Sequence, residues 1–60
     1  MTLLRLIEHA LRNHDITATA LGRRALNDPG AIFAIRKGRE IRPATEARLR
    51  GFIASLERAA

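Results

Sequence analysis

Arg23, Arg24, Arg36, Lys37, Arg39 and Arg42 are the residues of this chain whose type and spacing point to chemistry. Guanidinium and ammonium groups gathered this closely suit phosphate oxygens, which they neutralise with release of counterions. Only Asp28 and Glu40 oppose them, so residues 23–42 carry an excess of four positive charges out of a net +5 for the chain. Residues 1–22 balance two basic side chains with two acidic ones, and residues 43–60 add a single positive charge. Arginine also serves solubility and covers apolar surface with its stem. Concentration in one third of the chain favours nucleic acid as the partner. Other chemistry finds little support. His9 and His14 stand five apart, which does not put them on one helical face, and with no cysteine no third metal ligand is in view. No serine is paired in sequence with a recognisable base, and no glycine-rich phosphate loop follows a strand. The chain is expected not to be an enzyme, and to use no cofactor, metal or small-molecule ligand.

Size and composition bound the setting. Sixty residues make one domain over residues 1–60, and one that is small. A chain of this length buries only about 60% of its unfolded surface, so it gains from a partner. The absence of cysteine suits a reducing compartment. No apolar run approaches the roughly 18 residues of a membrane span, and Arg5 and Glu8 interrupt the one run that imitates a signal peptide. A cytoplasmic, nucleoid-associated location without membrane contact is the expectation.

Four or five short helices must position these groups. Thr2 caps a first helix whose apolar face is Leu3, Leu6, Ile7, Ala10 and Leu11, with Glu8 and Arg12 as an i, i+4 pair. Asn13 to Asp15 reads as its exit. Thr17 or Thr19 starts a second helix that buries Leu21, Ala25 and Leu26. Gly22, inside it, marks a close approach by a neighbour. Asn27-Asp28-Pro29-Gly30 is a break: two turn formers, then Asp28 as N-cap and Pro29 as the first residue of a third helix over about 29–37. Ile32 and Ile35 bury one stripe of that helix, and Gly38 ends it in the left-handed conformation. A last helix runs from Pro43 to about Glu57 with Leu49, Phe52, Ile53 and Leu56 on its apolar face and Glu46–Arg50 as an ion pair. The fold class is all-α, a compact bundle.

Leu21-Gly22, Ala25, the polar turn, Ile32 and Ile35, then Arg36-Lys37-Gly38-Arg39 and Pro43 stand in an order and spacing that resembles the Cro/C1-type helix-turn-helix family, the phage-repressor-like or XRE-like regulators. The likeness spans about residues 17–56, with the helix-turn-helix core at about 17–42. The chain departs from the family where the turn usually opens with a glycine and an apolar residue; here Leu26 and Asn27 stand there. The loop from Gly38 to Pro43 is also about one residue longer than usual.

The resemblance implies a lambda-repressor-like fold whose third helix enters the major groove of duplex DNA. On that docking the base-reading positions are Asp28, Pro29, Gly30, Phe33, Ala34 and Lys37. Phe33 is either a reader of thymine methyl groups or a core aromatic. Thr19, Arg23, Arg36, Arg39 and Arg42 are the expected phosphate contacts, although Arg36 and Lys37 also suit the negative end of their own helix. A single short reading helix discriminates few base pairs, which argues for a homodimer with Phe52, Ile53 and Leu56 as its interface and Gly51 allowing close approach. The function expected is sequence-specific DNA binding as a small transcriptional regulator of repressor type. The alternatives are a protein-interaction module, such as an antitoxin-like partner, and sequence-independent nucleic-acid binding.

Overall fold

Local capping signals set the first two helices. In the computed structural model, which describes residues 2–59, α1 spans Leu3–Asn13 and α2 spans Ala18–Leu26. Thr2 Oγ1 accepts from the Arg5 N–H at 3.3 Å, and Thr17 Oγ1 accepts from the Ala20 N–H at 3.0 Å. Each hydroxyl satisfies one of the amides that a helix start leaves without a partner. Thr17, not Thr19, is therefore the cap of α2. Between the helices, the His14 N–H still reaches the Ala10 carbonyl, and Asp15 turns the chain with a left-handed φ of 51°.

α3 spans Ala31–Arg36 and α4 spans Pro43–Ala59, so the described residues form four helices and no fifth. The start of α3 differs from expectation. Gly30, not Asp28, is the cap residue, without a side-chain cap bond; Asp28 Oδ1 accepts the Gly30 N–H at 3.0 Å within a tight turn through Pro29 and Gly30. The Ala31 N–H bonds three residues back to the Asp28 carbonyl, and four-residue spacing begins only with Ala34 to Gly30. The opening turn is thus wound in the tighter 3₁₀ manner common at helix ends. Lys37 lies just past the last helical residue and Gly38 follows at φ 96°. The Arg39 N–H returns to the Ala34 carbonyl and the Gly38 N–H to the Ile35 carbonyl, a Schellman ending. Six residues are too few for a self-sufficient helix. α3 is held by these two terminal arrangements and by burial of Ala31 and Ile32.

The core is built on Ile7, Leu21, Ile32, Leu49 and Ile53, all fully buried, with the small Ala10, Ala18 and Ala25 between them. Each of the five large side chains contributes about 1.5–3 kcal/mol by leaving water. α2 packs against α3 and α4, and α4 also against α1. Leu49 and Ile53, one turn apart, face inward. Ile53 is only 1% exposed, so its expected place in a dimer interface is overturned: it belongs to the domain's own core. α4 continues two residues beyond the expected Glu57, and the Glu46–Arg50 pair forms at 2.8 Å. No helix among the described residues is long and apolar enough to cross a membrane.

Candidate nucleic-acid interface

The turn before α3 fixes how that helix is presented. Asn27 adopts φ 55°, ψ 34°, the left-handed conformation that asparagine tolerates better than most residues. It does here what a glycine does in many such turns. The Asn27 N–H stays bonded to the Arg23 carbonyl at 2.9 Å, and the Asp28 N–H returns to the Gly22 carbonyl at 3.1 Å. Gly22 explains itself at the same point. A Cβ there would collide with the Asp28 carbonyl oxygen. The close neighbours are the turn backbone and, 3.6 Å from where that Cβ would lie, the Ala31 side chain that opens α3.

Helical spacing puts Gly30, Phe33 and Lys37 on one side of α3, opposite Ala31, Ile32 and Ile35. Those three are exposed, while Ala31 and Ile32 are buried. Phe33 is 45% exposed, which removes the core-aromatic reading. Ala34 and Pro29 flank this face, the first partly exposed and the second exposed. Asp28 stands apart from it. Its carboxylate is engaged with the Gly30 N–H, and it lines a groove of about 360 Å³ between the α2–α3 turn, the α3–α4 connection and the start of α4. Arg39 and Arg42 line the same groove, joined by Arg48. Arg48 escaped the sequence reading because a lone arginine on an outer helix face carries no pattern.

The remaining phosphate candidates divide. Thr19 and Arg23 are exposed on α2. Arg36 is engaged within the chain: its Nε donates to Glu8 Oε2 at 2.7 Å and its Nη2 to Glu8 Oε1 at 2.9 Å. The expected Glu8–Arg12 pair is replaced by this one, because a planar fork meeting both carboxylate oxygens outcompetes a single flexible contact. The hydrogen bond from Arg36 holds the Glu8 carboxyl below the ordinary glutamate range, and the same bond raises Arg36 further. Arg36 also stands over the Phe33 ring, 5.9 Å from its centroid. Phosphate contact by Arg36 would require release from Glu8. Arg24, on α2, stacks over Phe52 at 5.5 Å instead of standing free.

Of the two other residues expected at a dimer interface, Phe52 packs against the domain's own core. Phe52 and Leu56 are half-buried, and Gly51 is exposed with open space where a Cβ would lie. No protein-family profile, curated protein or solved structure matches the chain. The functional reading therefore rests on this geometry and on charge.

Proposed function

We propose that this protein binds duplex DNA sequence-specifically, as a two-fold dimer acting in transcriptional regulation, with α3 laid in the major groove. The observation that carries the reading is the outward face of α3. Phe33, with Gly30 and Lys37 at the two caps, faces solvent on a short helix whose start is fixed by the Asn27–Asp28 turn and whose far side is locked in the core. Small residues let such a helix approach base edges closely. Phosphate contacts come from Thr19 and Arg23 on one flank and from Arg39, Arg42 and Arg48 beside the groove on the other. The positive excess of residues 23–42 supplies the attraction to the duplex. Dimerisation uses the partly exposed Phe52 and Leu56, with Gly51 admitting a close neighbour. Action in the cytoplasm, on the nucleoid, follows from that partner.

A second reading has its own observation. Leu4 and Phe33 are both large, apolar and exposed, at 40% and 45%, which suits contact with another protein, as in an antitoxin-like interaction module. Selection from a pool of random duplex DNA separates the two. The DNA reading expects an enriched inverted repeat with half-sites about 10 base pairs apart, bound at least about a thousandfold more tightly than random duplex. No enrichment, with equal affinity for every duplex, would reject it.

A further inference from the structure

The side of α3 that faces outward offers a base edge unusually few polar groups. Phe33 is its one large apolar side chain, Gly30 has none, and Ala34 at the edge adds a methyl group. Asp28 has one carboxylate oxygen bonded to the Gly30 N–H and lines the neighbouring groove rather than this face. Lys37 remains as a point donor at the far end of the helix. The planar fork that reads guanine most often, a guanidinium, is present in Arg36 but occupied. Both terminal oxygens of Glu8 hold it, at 2.7 and 2.9 Å, and its charge is balanced beside the Phe33 ring. Glu8 lies on α1, outside the turn and reading helix altogether.

Resting on the DNA-binding reading above, we propose that Glu8 is a positioning residue that sets base preference. By occupying Arg36 it withholds a guanine reader and leaves the braced ring of Phe33 as the principal one. The ligand feature that fits an aromatic ring in the major groove is the C5-methyl group, which thymine carries and cytosine lacks. The preferred site is then defined by C5-methyl pyrimidines, and 5-methylcytosine can replace thymine at the position Phe33 touches. When Glu8 loses its charge, Arg36 is freed and a guanine preference is added next to that position.

The test uses the duplex enriched from random DNA, remade with uracil for thymine, and the variants Phe33→Ala, Glu8→Gln and the double variant Glu8→Gln with Arg36→Met. Phe33, Glu8 and Arg36 are not in the core, and circular dichroism checks that each variant folds. The wild type is expected to lose about fourfold in affinity for each contacted methyl group removed. Phe33→Ala binds the thymine and uracil duplexes alike. Glu8→Gln enriches a guanine beside the thymine and steepens the salt dependence by about one. The double variant returns to the wild-type preference, which a merely structural role for Glu8 would not produce. Equal wild-type binding of thymine and uracil duplexes, or an unchanged enriched sequence for Glu8→Gln, overturns this inference while DNA binding stands. Absence of any enriched duplex overturns both.

Discussion

Glu8 of α1 and Arg36 of α3, 28 residues apart in the chain, meet through two hydrogen bonds of 2.7 and 2.9 Å. This pair fastens the end of the shortest helix to the first one, and does so at the surface, with each side chain 38% exposed. It gives the fold a dependence on acid. Glu8 is held below the ordinary glutamate range, so its folded form favours the ionised state. The stability it adds is present above the unfolded carboxyl value and is lost as pH falls through the lowered folded one. Urea unfolding across acidic pH should therefore show Glu8→Gln less stable than wild type near neutrality, with the gap closing as the wild-type carboxyl protonates. Solvent screening keeps the gap well below that of a core substitution. A gap that is the same at every pH would show that the ion pair is not its source.

Two glycines should respond to alanine with opposite sign. Gly51 is exposed on α4 with open space at its Cβ position, so Gly51→Ala should stabilise by about 1 kcal/mol. Gly22 has the same helical preference against it, but a Cβ would strike the Asp28 carbonyl oxygen. Gly22→Ala should destabilise and disturb the turn ahead of α3. Thermal unfolding of the two variants side by side decides the matter; stabilisation by both would mean that the turn moves away freely.

Much of this was readable in the chain. Thr2, Thr17 and Gly38 announce helix ends because capping is a matter of a few adjacent residues. Ile7, Leu21, Ile32 and Leu49 announce burial through their spacing. What failed to read was tertiary. The i, i+4 rule pairs Glu8 with Arg12, and nothing local says that a guanidinium from α3 will arrive there. The apolar stripe of α4 contains Phe52, Ile53 and Leu56 alike, and only packing decides that Ile53 is the one turned inward. The groove that brings Arg48 beside Arg39 and Arg42 is likewise a product of the α3–α4 connection.

That division on α4 is testable. Ile53→Ala should cost about 2–5 kcal/mol, enough to unfold much of a marginal domain. Leu56→Ala should cost far less stability and instead weaken self-association measured by sedimentation. If Leu56→Ala leaves the association unchanged, the dimer does not use this face.

The cations should also separate in a salt titration. Neutralising Arg39 or Arg42 should weaken binding to all duplexes about equally and lower the salt slope by about one each. The double variant Glu8→Gln with Arg36→Met should leave the slope nearly unchanged, because it removes both charges of a balanced pair. A slope that falls as far for the double variant as for Arg39 would mean that the ion pair opens on DNA.

Contact between the outward face of α3 and duplex DNA is decided by backbone-amide NMR during titration with the enriched duplex. Shift changes should concentrate at Gly30, Phe33, Ala34 and Lys37, with smaller ones at Thr19, Arg23, Arg39 and Arg42. Changes confined to α4 around Phe52 and Leu56, with α3 unmoved at saturation, would contradict it.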